Sequence, residues 1–219
     1  KVATVNNELI NKHNLSSAIS TARKKFVKAL ISSNNQEYLG IELYKYPPEK
    51  TIYQTLLKNT GIHRINLEGN FSFFSPADES FQELWDLGEK FIKESVHEPQ
   101  PISVFIDMLS SKPFKFKTGF IEFWIPTFIV INQDRFAVFK HNNYLPTITP
   151  ELFDIIQKYP ETFKIKGYPF AGVQIDIFNR YRQLLNIPEK DQLTNKGIIE
   201  TIKPFLVFYR QLPLYARTT

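Results

Sequence analysis

Gly167 and Gly172 stand five apart in "GYPFAGVQ". That is the glycine spacing of a phosphate-binding loop, whose backbone N–H groups cradle the phosphates of a nucleotide. The loop also needs a Lys to reach the outer phosphates and a Ser or Thr to hold magnesium. Val173 and Gln174 follow Gly172 instead. The pair is half a motif and supplies no ATP site.

The other residues able to do chemistry are scattered. His13, His63, His97 and His141 each lack a second His or a carboxylate at ligand spacing on the same helical face. Each is expected at the surface or in a turn, rather than as a metal ligand or general base. Asp78-Glu79 falls in the first turn of a predicted helix, where acids favour the helix dipole. No G-x-S-x-G elbow occurs. The chain has no Cys, which excludes disulfides, zinc–cysteine sites and thiol catalysis within it and fits a reducing compartment. No catalytic residue, cofactor or metal is expected.

What remains is electrostatic. Arg23, Lys24, Lys25 and Lys28 form one basic cluster. In "KPFKFK" (112–117), Lys112, Lys115 and Lys117 alternate with Phe114 and Phe116, a pattern able to contact phosphates and stack on bases. Arg135 and Lys140, with His141, lie on a predicted hairpin that can lean on a phosphate backbone. These nine Lys and Arg residues are the candidate nucleic-acid contacts. Each cluster also has a plainer reading: a solvated helix face for the first, and phenylalanines plugging a core with lysines outward for the second. The two main clusters carry no array of Asn, Gln or Arg to read base edges, so any binding is expected to be sequence-independent.

The net charge is +5, and it is uneven. Residues 1–33 hold six Lys/Arg against Glu8 alone, and residues 201–219 hold Lys203, Arg210 and Arg217 against no acid. A basic balance of this size permits nucleic-acid contact without demanding it.

The elements that position these residues follow from periodicity. At 219 residues, 42% hydrophobic and 15% aromatic, the chain suits one large domain or two small ones with an aromatic-rich core. Ser16-Ser17 caps a helix whose Ala18, Ile19, Ala22, Phe26, Ala29 and Leu30 share a face, with Lys24, Lys25 and Lys28 opposite. Residues 39–48 look extended, and 49–61 form a helix stopped by Gly61. Residues 65–74 form a small hairpin around Glu68-Gly69-Asn70. Ser75 and Pro76 open a helix through residue 95, buried along Phe81, Leu84, Trp85, Phe91 and Ile92. Residues 98–101 are the expected linker. Helices follow at 102–111, 149–160, 170–186 and 195–213, with a hairpin before the second of these. The expected fold is mainly α with small β-hairpins: an N-terminal helical subdomain (1–98), a winged-helix-like subdomain (99–168) and C-terminal helices packing back (169–219).

The helix before that hairpin decides how such a unit can work. A helix that reads the major groove presents polar side chains to it. Residues 120–131 offer only Glu122 and Thr127 among ten apolar ones. A helix apolar all round is buried. Residues 120–131 are therefore expected to be core, with Trp124 inside.

"NELINKHNLSSAISTARKKFVKAL" (7–30) resembles a segment that follows the nucleotide-binding core of large bacterial P-loop ATPases in phage-defence gene clusters, of the BREX type and relatives. "KPFKFKTGFIEFWIPTFIVINQDRFAVF" (112–139) is similar to a "PPFGLKDGVIPVLL" pattern followed by a strand in those proteins, and "FLVFYRQLPLYARTT" (205–219) resembles the stretch that closes their region. The resemblance covers about 7–60, 75–150 and 200–219. It departs at Phe116-Lys117-Thr118-Gly119, which lacks the acidic residue of "GLKDG", and the Walker motifs are absent.

The resemblance implies an accessory region that does not hydrolyse ATP alone. It would relay nucleotide state to the rest of its parent ATPase, to other proteins of the system, or non-specifically to nucleic acid. The start at Lys1, with the single Met at 108, is expected to mark a piece of a longer chain. Two alternatives stay open: a free-standing winged-helix DNA-binding protein, and a small helical enzyme whose site is not visible in one sequence. No signal peptide and no uninterrupted run of 18 apolar residues is present, so a cytoplasmic location without membrane contact is expected.

Overall fold

The computed structural model describes residues 7–42, 44–168, 179–186 and, near the C-terminus, 201, 204, 207, 208, 211 and 212. Gly172, Lys203, Arg210 and Arg217 lie outside them, as do most of the two helices expected at 170–186 and 195–213; residues 179–184 are helical.

The fold is mainly α with two small antiparallel sheets. Helix α1 (Ser17–Ser32) starts at Ser16, whose hydroxyl accepts from the Ile19 N–H and satisfies one of the first-turn donors. It buries Ile19, Ala22, Phe26, Val27 and Leu30. Among the described residues of 39–48 there is no strand. Instead the chain makes a short 3-10 turn (Glu37–Gly40) in which Tyr38 and Leu39 take left-handed conformations. Helix α2 (Pro48–Tyr53) runs on as a π-helical turn (Gln54–Lys58), and Gly61 follows at φ 71°.

Strands β1 (His63–Ile65) and β2 (Phe71–Phe73) form the first hairpin, pairing His63 with Phe73 and Ile65 with Phe71. The next helix starts later than its sequence suggests. Asp78, rather than Ser75, is the cap: its carboxylate accepts from the Ser80 N–H at 2.8 Å, opening a 3-10 turn that leads into α3 (Gln82–Ser95). A carboxylate two residues from the free N–H groups outcompetes a more distant hydroxyl. The face expected to be buried is buried: Phe81, Leu84, Trp85, Phe91 and Ile92. Gly88 on α3 lies against Phe128, where any Cβ would fall on the ring.

Within the expected linker 98–101, Glu98 and Pro99 are exposed and outside any element, while the last two residues pair with a strand. Gln100–Pro101 is β3, an edge of the second sheet. Helices α4 (Ile102–Ser110) and α5 (Thr118–Ile131) follow, then β4 (Phe136–Lys140), β5 (Asn143–Leu145), α6 (Pro150–Lys158) and β6 (Phe163–Gly167). The sheet order is β3-β6-β4-β5, all antiparallel. Strand β6 is not among the expected elements, and it joins β3 to the β4–β5 hairpin. Its residues alternate: Phe163, Ile165 and Gly167 are buried, while Lys164 and Lys166 lie between them toward the rim. A Cβ at Gly167 would stand 2.8 Å from the Ile92 carbonyl oxygen, so this glycine serves close packing of β6 on α3.

Helix α5 runs through the centre. Of its residues only Thr118, Glu122 and Ile131 escape full burial, and Trp124 is 0% exposed. Phe120 stacks on Trp124, while Phe81 and Trp85 stand edge-on to the indole. Phe26 and Phe123 meet edge to face, and Phe91 stacks on Phe105. One buried cluster therefore runs across residues 98–101 without a break.

Candidate functional site

The nine basic candidates fall on four segments, α1, the turn between α4 and α5, the 3-10 turn before β4, and β4, and into different environments. Arg23 sits on the buried side of α1 and is 7% exposed. Its guanidinium donates to Glu122 of α5 at 3.1 Å, to Asp154 of α6 at 2.8 Å and to Gln157 of α6. Arg23 is thus a tie between three helices and does not belong to the exposed stripe. The reason is positional: it follows Ile19 by four residues and precedes Phe26 by three and Leu30 by seven, so it shares their face. Lys24, Lys25 and Lys28 point outward. Lys24 pairs with Asp154 at 3.2 Å and Lys25 with Glu49 at 3.5 Å.

Lys112 and Lys115 are exposed in the turn between α4 and α5. Phe114 and Phe116 stack on each other, and Phe116 packs on Phe120. The phenylalanines therefore face the core and two of the lysines face solvent. Lys117, at the start of α5, donates to the Asn11 carbonyl at 3.3 Å. Arg135 is held by both Glu89 oxygens at 2.5 Å and by Asn132 at 2.9 Å. Those hydrogen bonds to Glu89 raise its pKa further above the ordinary guanidinium value. Lys140 lies 5.8 Å from the centre of the Phe163 ring at the end of β4.

Beside the Arg23 cluster, α4, α5 and α6 leave a cleft of about 310 Å³. Ile106, Ile121, Ile125, Phe153 and Ile156 form its apolar walls, and Arg23, Glu122 and Gln157 its polar end. Burial pushes the Glu122 carboxyl up, against the downward pull of Arg23 and Gln157. Pro126 also lines the cleft. Having no N–H, it leaves the Glu122 carbonyl without its helical donor. The cleft is apolar with one polar end, whose side chains are bound to one another. Among the described residues that line it, no hydroxyl is shown bonded to a basic side chain. No group of three or more His, Asp or Glu able to hold a metal occurs among the described residues.

His63 is not the surface residue expected; it is 2% exposed. Its Nε2 lies 2.7 Å from the Asn34 carbonyl oxygen and its Nδ1 2.7 Å from the Tyr53 hydroxyl. A carbonyl only accepts, so the proton sits on Nε2 and the tyrosine donates to Nδ1. Burial lowers the His63 pKa, with the Asn34 bond opposing, and pushes the Tyr53 hydroxyl up to about 12. The ring is packed by Phe71 and Phe73 of the hairpin. His13, His97 and His141 are exposed.

No family model, curated protein or solved structure matches the chain. Among the described residues, no helix is long and apolar enough to cross a membrane.

Proposed function

We propose that the chain is a non-catalytic accessory module of a large bacterial P-loop ATPase of the phage-defence type, built around a winged-helix-like unit. It relays nucleotide state to partner proteins or, without sequence preference, to nucleic acid in the cytoplasm. The order α3, β3, α4, α5, β4, β6 supports the winged-helix reading. In such a unit the first strand pairs with the last and the last with the middle one, which is the order β3-β6-β4 here. Strand β5 and helix α6 are then an insertion between the two wing strands.

One observation carries the functional part. Helix α5 holds the place of a recognition helix, and it is buried along nearly its whole length. A groove-reading helix exposes its polar face; this one has none to expose. The unit acts as a scaffold, and its contacts run through the exposed lysines of α1 and the turns. The same burial disfavours the free-standing DNA reader.

Two measurements test the proposal. The open reading frame upstream of Lys1 should encode a G-x-x-x-x-G-K-[ST] loop between a strand and a helix; a start codon just before Lys1 with a stop after Thr219 would argue for an independent protein. Calorimetric titration of the 219-residue chain with Mg-ATP should show no binding, and a micromolar dissociation constant would refute the non-catalytic reading.

A further inference from the structure

We propose that the face made by the second half of α1, the loop before α2 and α2 itself is a platform for single-stranded nucleic acid. The proposal goes beyond the module reading, which does not depend on it.

The loop presents aromatic rings. Tyr44 is 80% and Tyr46 79% exposed, on either side of Lys45. Tyr46 is held by a cation. The Lys50 ammonium lies 4.1 Å from the centre of the Tyr46 ring and 5.8 Å from that of Tyr38. It also donates to the Lys45 carbonyl at 3.1 Å, which fixes the loop backbone from below. Lys58 lies 4.2 Å from the centre of the Tyr38 ring and donates to its hydroxyl.

The backbone leading into this loop is unusual. Tyr38 and Leu39 have φ of 53° and 54°, and Gly40 follows at 70°. Side chains other than glycine rarely take that conformation, and such strain collects at functional surfaces. Buried Leu39 anchors the turn, and Tyr38 is presented between two lysines.

The lysine stripe borders the same face, because Lys25 reaches Glu49 in the first turn of α2. Lys24, Lys25, Lys28, Lys45 and Lys58, with Lys50 buried beneath them, stand against Glu37, Glu42, Glu49 and Asp154, so the face keeps a small net positive charge. Lysines that track a phosphate backbone, together with rings open for stacking, are the two components of single-strand binding. A duplex hides the faces of its bases and can use only the lysines. The rings therefore assign the surface to a single strand, DNA or RNA.

The test uses fluorescence anisotropy of the 219-residue chain with a labelled oligothymidylate of about 12 nucleotides and with its duplex. The single strand should bind more tightly than the duplex. Tyr44→Ser with Tyr46→Ser should weaken single-strand binding by about tenfold or more and leave duplex binding unchanged. Lys24→Glu, Lys25→Glu and Lys28→Glu together should weaken both. Both tyrosines are exposed, so an unchanged thermal midpoint of the double variant verifies that the fold is intact. Equal affinity for strand and duplex, a silent tyrosine variant, or no binding of the strand would each overturn the proposal. None of these touches the module reading, which the reading frame and the ATP titration decide.

Discussion

Arg23 shows how a charge that belongs to a basic run in the sequence can belong to the core in the fold. Its period on α1 was legible: it falls among Ile19, Phe26 and Leu30. So was the demand it meets, since Glu122 is the one charge in an otherwise apolar helix. What one sequence could not supply was the third partner, Asp154, more than a hundred residues away. Removing one member of a buried ionic group leaves the others uncompensated. Arg23→Ala should therefore destabilise by about 3–5 kcal/mol, measured by urea denaturation. Without Arg23 the Glu122 carboxyl, already raised by burial, rises further. A carboxyl whose pKa is raised on folding is least harmful below its unfolded value of 4.5. The variant should thus recover part of its stability as the pH falls toward that value. A loss under 1 kcal/mol would mean that the triad is not a structural tie.

His63 makes the opposite case at the same scale. It was invisible because burial of a lone histidine depends on which rings surround it, and those come from β2 and α2. Its folded pKa lies below the unfolded value of 6.5. The unfolded chain therefore binds a proton that the folded chain refuses, in the window between the two. Its contribution to stability is complete above 6.5 and is lost as the pH falls through the folded value. Its ring protons in an NMR titration should show a midpoint below pH 6.5; a midpoint at or above 6.5 would contradict the buried neutral tautomer.

Helices were the most legible elements. The all-apolar run of α5, the Thr149-Pro150 start of α6 and the Ser16 cap of α1 each needed only local information. The hairpins were legible from Glu68-Gly69-Asn70 and from the turn at His141. Strand β6 was not, because "FKIKG" is five residues long and its lysines dilute the apolar alternation. Strand β3 is two residues long and has no signal of its own; both exist through pairing across distant sequence. The sheet had to be seen, while helix α5 did not. Trp124 tests that helix. With Trp85→Phe in place, its emission should be blue-shifted and resist acrylamide; ready quenching would contradict burial. Trp124→Ala should cost about 3–5 kcal/mol. The indole N–H has no hydrogen-bond partner among the described residues, and an unpaired buried donor is itself costly. Trp124→Phe removes that donor and keeps most of the ring, so it should cost much less than Ala. Equal losses for both would mean that the N–H is satisfied.

For the molecule as a whole, a scaffold whose central helix is core carries exposed lysines on the outer face of α1. Of the candidate contacts, Arg23 is committed to the interior and Arg135 to Glu89. Lys24, Lys25, Lys28, Lys112 and Lys115 remain on the outside. Phosphate contact through a few lysines is sequence-blind and weak, on the order of 10⁻⁴–10⁻⁶ M at physiological salt. It weakens as salt rises, because each neutralised phosphate releases condensed counterions. The most direct measurement is equilibrium binding of the chain to duplexes of equal length and different sequence across a salt series, repeated with Lys24, Lys25 and Lys28 changed to Glu. The account predicts one affinity for all sequences, falling with salt, with a shallower salt slope in the variant. Tight binding to one defined duplex that survives a large excess of competitor would contradict it.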